Sequence, residues 1–356
     1  MIEPFVHAPL PVRVIFGAGA VARLPEEVER LGGRRALVLS TPGRAAARAQ
    51  ELALSLRDRS AGLFAGAVMH TPVDVTEQAL ALVRERGVDT LVAFGGGSTT
   101  GLAKALALRL DLPQIVLPTT YAGSEMTPIL GETSGGMKTT RSDPRILPET
   151  VIYDVELSLA LPPAVAAVSG MNAIAHAAEA LYARDRSPVI ALLAEEGVRA
   201  LAQALPGIVA HPEDRDARAA ALYGAWLCGT CLGSVGMALH HKLCHVLGGT
   251  FGLPHAETHT AVLPHAIAYN APAAPEAMAR LAAALGVADA ALGLHELAAR
   301  LGAGRGLRDL GLPQAGVAQA VAQTLANPYW NPRPLAAEAL TGLLERAWRG
   351  DPPASD

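Results

Sequence analysis

Through about residue 160, apolar residues fall in short blocks separated by stretches with helical spacing. Val12–Phe16, Ala36–Ser40, Thr90–Phe94 and Gln114–Leu117 are runs of strand length, rich in branched and aromatic side chains. Between them, Ala20–Leu31, residues 44–57, Val75–Arg86 and Leu102–Leu110 repeat their apolar positions every three or four residues, which predicts helices. Strands alternating with helices predict βαβ units and a parallel sheet. From residue 161 the period changes. Val165–Tyr182, Val189–Leu205 and Asp216–Cys231 all carry the helical pattern, and no strand pattern follows. Pro162 and Pro163 punctuate the change. The pattern predicts an α/β domain with a parallel sheet over residues 1–160, an all-α C-terminal domain over 161–356, and a cleft between them.

Composition agrees with two folded domains. The 356 residues are 51% hydrophobic with only 4% aromatics, as expected of Ala- and Leu-rich packed helices. The net charge of −4 gives no footprint for nucleic acid. No apolar run reaches the ~18 residues of a membrane span, and the first residues lack a signal-peptide pattern. Cys228 and Cys231 form a C-x-x-C, but their flanks are apolar and no second pair exists, so these two and Cys244 are expected in the core. A cytoplasmic location is the expectation.

Two glycine loops compete for a dinucleotide. Phe16-Gly-Ala-Gly-Ala-Val-Ala22 matches G-x-G-x-x-A between a strand and a helix. Phe94-Gly-Gly-Gly-Ser-Thr-Thr100 is the stronger candidate. Three glycines let backbone approach a pyrophosphate, and the N–H groups opening the next helix meet its charge. The hydroxyl-rich Pro118–Glu125 loop follows the next strand, where such sheets bind ligands. The α/β domain is therefore read as a dinucleotide-binding domain. The second strand ends in Ser40-Thr41-Pro42-Gly43-Arg44, without the carboxylate that holds a ribose diol. Ser40 and Thr41 are candidate cofactor contacts, with Arg44 near a 2′-phosphate.

The helical half carries the histidines. His176 lies in S-G-M-N-A-I-A-H-A-A-E, with Asn172 four residues before it. His240, His241 and His245 lie in L-H-H-K-L-C-H-V-L-G-G, and His255 follows in L-P-H-A. His241 and His245 share a helix face. Such clustering points to a divalent metal or to acid–base chemistry.

These motifs together resemble the iron-containing alcohol dehydrogenase superfamily, from about Phe16 to His255. The resemblance implies a dehydroquinate synthase-like architecture and NADH or NADPH as cofactor. It implies that Gly95, Gly96, Gly97 and Ser98 take the pyrophosphate, with Thr119 and Thr120 beside the cofactor and Lys138 near the nicotinamide ribose. It assigns His176, His241 and His255 to the positions of metal-ligand histidines, and His245 to a non-ligand place near the nicotinamide. Asn172 stands where a ligand aspartate is usual, and Gly101 where the glycine loop usually continues to an acid. Both departures are similar to the maleylacetate-reducing subgroup. That likeness implies reduction of the C=C of maleylacetate, a small dicarboxylate, to 3-oxoadipate during aromatic-compound breakdown. It also implies a homodimer, with no metal required. His241, His245, His176 and His255 are then the candidate catalytic residues. Lys242, Arg141 and Arg333 are candidate partners for substrate carboxylates, and Asn327–Pro334 is a loop that borders the cleft or merely connects helices. A metal-dependent alcohol or polyol dehydrogenase, a dehydroquinate-synthase-like lyase and a non-catalytic nucleotide sensor are the alternatives. Asn172 weighs against the two that need metal, and the retained histidines against the third.

With no carboxylate after the second strand, both NADH and NADPH are expected to serve. Steady-state kinetics with each checks this, and a preference for NADH above about a hundredfold would overturn it.

Overall fold

The computed structural model describes residues 4–135 and 137–354, the side chains of Met137 and Lys138 lying outside the described residues. The chain divides into two compact units, one of residues 10–161 and one of residues 162–356 together with the segment before Leu10. The expected assignment of residues 1–160 to a single domain is corrected at its start. His7 Nδ1 lies 3.1 Å from the hydroxyl of Ser187, which caps a helix of the second unit.

The first unit is built on strands β1 (Arg13–Gly17), β2 (Ala36–Leu39), β3 (Ser60–Phe64), β4 (Thr90–Gly95), β5 (Gln114–Pro118) and β8 (Thr150–Asp154). Between the last two stands an antiparallel hairpin, β6 (Ile129–Ser134) and β7 (Met137–Ser142). The main sheet runs β1-β8-β5-β4-β2-β3, parallel throughout. Its central strands β2, β4, β5 and β8 are buried along their length, as a sheet covered on both faces requires. Helices α1 (Leu24–Arg30), α2 (Arg44–Ser55), α3 (Val73–Glu85), α4 (Gly97–Leu110) and the short α5 (Val155–Ser158) belong to this unit. One face of the sheet presents Ala36, Val38, Val92, Phe94, Ile115, Leu117 and Ile152 to Leu24 and Val28 of α1 and Ala49, Leu52 and Ala53 of α2. The alternate residues Leu37, Leu39, Leu91, Ala93 and Val116 are equally buried on the other face, where α4 packs.

The strand order reverses between β2 and β4. The chain turns outward from β2 to β3, returns, and then runs from β4 through β5 the other way. At such a switch point adjacent connections leave on opposite faces and open a crevice at the strands' carboxyl ends. Four strands lie outside the runs predicted from the pattern. β3 is short and two of its five residues are alanine and glycine, whereas β8, Thr150-Val-Ile-Tyr-Asp154, carries a plain strand signal. The other two are β6 and β7, whose Gly-Glu-Thr-Ser and Thr-Thr-Arg-Ser runs have no apolar block.

The second unit is helical: α6 (Pro163–Ala180), α7 (Pro188–Ala210), α8 (Arg215–Ser234), α9 (Leu239–Phe251), α10 (His255–Asn270), α11 (Pro275–Leu285), α12 (Ala290–Arg300), α13 (Gly316–Ala326) and α14 (Ala337–Arg349). Residues 275–300 are long and apolar enough to cross a membrane by length and composition. Gly286, at φ +71°, breaks them into α11 and α12, whose Leu281, Leu294 and Leu297 are buried among neighbouring helices. Cys228, Cys231 and Cys244 are free thiols in the interior.

Asp154 decides the contest between the glycine loops. Its buried carboxylate accepts from the backbone N–H of Gly19 at 3.0 Å and Val21 at 2.9 Å, and from Glu156 N–H at 2.9 Å. The donors of the Gly17–Val21 turn are thereby spent inside the protein, and a phosphate there would meet a carboxylate. Asp154→Ala is expected to cost about 3 kcal/mol, since three N–H groups lose a charged acceptor. Urea unfolding measures this, and a loss below about 1 kcal/mol would show the turn to be held otherwise.

Candidate functional site

The second glycine loop is open where the first is occupied. Gly96 precedes α4, and no side chain caps that helix's first turn, which leaves N–H groups for an anion. The glycines are required by close approach. A Cβ on Gly95, whose φ is +148°, would stand 2.3 Å from Thr99 Oγ1, and one on Gly96 would stand 2.9 Å from the Thr120 side chain. Thr119 N–H donates to Gly95 O at 3.0 Å, so the loops after β4 and β5 are tied together. Below them Lys104 is fully buried. Its Nζ donates to Thr127 Oγ1 and Ile129 O, both at 2.9 Å, and to Ser124 O. Burial lowers its pKa to about 7, against the opposing pull of Glu125. This ammonium anchors the segment that carries Thr119 and Thr120.

Gly95, Gly96, Gly97, Ser98, Thr119, Thr120 and Thr41 thus follow the carboxyl ends of the neighbouring strands β4, β5 and β2, beside the switch point. Ser40 is different. It is fully buried and its hydroxyl donates to Thr41 O at 3.1 Å, so that side chain is turned inward, while Arg44 is exposed. Lys138 pairs by its backbone with Thr133, and its side chain lies outside the described residues. Gly101 has a local cause: a Cβ there would meet Thr71 Oγ1 at 2.4 Å. Thr71, at φ +45°, fills the room that a side chain at 101 would need.

In the helical unit three helices bring the histidines together. Asn172, His176 and Glu179 share a face of α6 at four- and three-residue spacing; α9 supplies His240, His241 and His245; α10 supplies His255 and His259. Ring centroids of His176 and His241 are 5.2 Å apart, of His241 and His259 4.9 Å, and of His255 and His259 4.3 Å. Glu179 organises them. Its fully buried carboxylate accepts from Ala238 N–H and His240 N–H at 2.8 Å each and from His241 Nδ1 at 2.7 Å. The His241 Nδ1 therefore carries a hydrogen, and its buried Nε2 has no hydrogen-bond partner among the described residues. Burial first, and neighbouring imidazoles second, push His176, His240 and His259 well below the usual histidine range, which keeps them neutral.

The loop Asn327–Pro334 is stitched against this cluster. Tyr329 OH lies 3.0 Å from His245 Nδ1. Asn331 exchanges hydrogen bonds with Asn270 at 2.9 and 2.7 Å, and Tyr269 OH donates to Pro334 O at 2.6 Å. Burial, then the Glu179 charge, raise the Tyr329 phenol above its usual range, so it keeps its hydrogen. Lys242 lies over the Tyr329 ring, 5.4 Å from its centroid. The Arg333 guanidinium donates to Tyr269 O at 2.9 Å and lies 4.5 Å from that ring's centroid. Arg141 is exposed on β7 of the other unit.

Glu179, His259 and Tyr329 escape the sequence reading. The three-residue step from His176 to Glu179 and the four-residue step from His255 to His259 are the same signals that joined His241 to His245. Tyr329 has no such local signal.

The donor set holds no carboxylate at position 172. Among the described residues, Asn172 Oδ1, His176 Nδ1, His241 Nε2 and His259 Nε2 are buried polar atoms without a hydrogen-bond partner. The carboxylate of the cluster, Glu179, is engaged by two backbone N–H groups and His241. Imidazole nitrogens can hold Zn2+ without a carboxylate, so a dication here would rest on imidazole and amide ligands.

Known proteins bear on this geometry. Residues 11–155 match the family model of iron-containing alcohol dehydrogenase, and residues 166–348 match that of the Fe-containing alcohol dehydrogenase family, C-terminal. The chain is 58% identical to a maleylacetate reductase of Sphingobium indicum, over 98% of this chain and 99% of that protein. It is 54% identical to one from Rhizobium sp., over 99% and 100%. A crystal structure of maleylacetate reductase from Agrobacterium tumefaciens superposes with a TM-score of 0.96 at 55% identity, covering 99% of this chain and 100% of that one.

Buried neutral histidines make the fold acid-sensitive. His265, buried in α10, is pushed to about 4, by desolvation first. Its unfolded pKa is about 6.5. Between those values the unfolded chain binds the proton and the native one does not, so stability falls as pH drops through that window. His176, His240 and His259 act with the same sign. The loss is expected at up to about 1.4 kcal/mol per pH unit per residue, checked by urea unfolding at pH 7, 6 and 5; unchanged midpoints would contradict it.

Proposed function

The chain belongs to the iron-containing alcohol dehydrogenase family, and within it we propose that this oxidoreductase uses NADH or NADPH to reduce the C=C of maleylacetate to 3-oxoadipate without a divalent metal. The observation that carries the reading is the histidine cluster with Asn172 in the acid's place, in a chain 50–58% identical to reductases of that name. Family membership implies nicotinamide cofactor use. The backbone of Gly95–Ser98 would hold the pyrophosphate, with Thr119, Thr120 and Thr41 at the neighbouring strand ends. When bound, the cofactor supplies the hydride.

Maleylacetate has an alkene conjugated to a ketone, flanked by two carboxylates. Hydride addition at the carbon β to the ketone places negative charge on the ketone oxygen as an enolate. An enolate is far less basic than the alkoxide formed by direct ketone reduction, and positioned hydrogen-bond donors can stabilise it without a Lewis acid. His245 suits this role, because Tyr329 holds its ring through Nδ1 and leaves Nε2 as the other nitrogen. His241, oriented by Glu179, suits proton delivery to the α-carbon from Nε2. His176 and His255 complete the cluster. Lys242 is the cation placed to meet a substrate carboxylate.

The test is oxidation of NADH with maleylacetate beside a panel of aldehydes and ketones, before and after exhaustive chelation. Turnover of maleylacetate that survives chelation is expected. Turnover of simple aldehydes alone, or activity lost on chelation and restored by Fe2+ or Zn2+, would overturn the reading. His245→Ala is expected to lower kcat by about 10²–10⁴-fold, and Tyr329→Phe by about tenfold through loss of one oriented hydrogen bond.

A further inference from the structure

A second set of ligating atoms lies behind the histidine cluster. His240 Nε2 is 2.9 Å from His259 Nδ1 and 3.8 Å from Cys244 Sγ. The ligand atoms of these three residues all lie within 4.8 Å of one another. His240 and Cys244 are one turn apart on α9, and His259 faces them from α10. Exposures of 0, 2 and 0% put the trio in the interior. None of them belongs to the residues matched to metal positions, His176, His241 and His255.

Ligands held about 2.0 Å (nitrogen) and 2.3 Å (sulfur) from one ion stand roughly 3.3–3.8 Å apart. The nitrogen–sulfur separation already has that value, and the two imidazoles need to part by only about half an ångström. A thiolate with two imidazoles is a soft donor set, which selects thiophilic d10 ions over Mg2+, Ca2+ or Fe2+. Charge decides further. Once Cys244 gives up its proton, a monovalent ion leaves the group neutral, whereas Zn2+ leaves a net positive charge among buried helices. Three ligands also suffice for a monovalent d10 ion.

We propose that His240, Cys244 and His259 form a buried three-coordinate site for Cu+. Binding replaces the thiol hydrogen, which leaves as one proton to solvent, and no electron is transferred. The ion also fixes both ring hydrogens on the outward nitrogens, His240 Nδ1 and His259 Nε2.

The experiment titrates the full-length protein with Cu+ under anaerobic conditions, in competition with the coloured chelator bicinchoninate. Proton release and ultraviolet thiolate-to-metal absorption are followed together. Roughly one Cu+ and one released proton per chain are expected. Cys244→Ser should weaken binding by about a hundredfold or more, since even outer partners of a metal ligand are worth 10–100-fold. The double variant Cys228→Ser/Cys231→Ser should bind as the parent does, which separates this trio from the C-x-x-C on α8. His259→Asn provides a second ligand deletion, and thermal unfolding of each variant in chelator checks that it folds. Binding that persists in folded Cys244→Ser, binding lost in the C228S/C231S variant, or a thiolate charge-transfer band with Co2+ but no uptake of Cu+ would each overturn the proposal.

Discussion

The Glu179 carboxylate is the interaction on which the histidine site depends. Helix α9 begins at Leu239 after an alanine, which cannot cap it. Two N–H groups at its start therefore need an acceptor, and Glu179 of α6 supplies one from another helix. A negative charge at that helix end is also favoured by the helix dipole. The third acceptor position takes His241 Nδ1. One buried group thus fixes where α9 starts, how it is rotated, and which nitrogen of His241 is free. His240, His241, Cys244 and His245 inherit their places from that rotation.

In the sheet unit the controlling constraint is which backbone donors are already used. Two glycine loops look alike as strings, and both sit between a strand and a helix. Asp154 arrives at one of them from β8 and consumes its N–H groups. No side chain does so at the start of α4, and that start lies beside the strand-order reversal. Phosphate capacity therefore follows from a carboxylate more than a hundred residues away in sequence, not from the glycine pattern.

The exchange of an acid for Asn172 changes what the histidines can do more than where they stand. Imidazoles around an amide bring no carboxylate to a dication, yet they retain directed nitrogen atoms, two of them held by Glu179 and Tyr329. Direct ketone reduction asks for strong charge stabilisation, whereas conjugate reduction of an enone spreads the charge over an enolate. A donor set without the acid at position 172 matches the second demand.

Much of this was legible from the sequence alone. The alternation of strand and helix periods, the change near residue 161, the G-G-G-S loop and the spacing of Asn172, His176, His241, His245 and His255 are local properties, set by the pleat and the helical repeat. What only the tertiary structure decided are relations between distant segments. Asp154 closes the first glycine loop, Thr71 explains Gly101, Tyr329 reaches His245, and Arg333 donates to Tyr269. The segment before Leu10 joins the unit farthest from it in sequence. Periodicity reports which face of an element is buried. It carries no record of which remote donor or carboxylate will meet that face, because that is set by how the helices and strands pack.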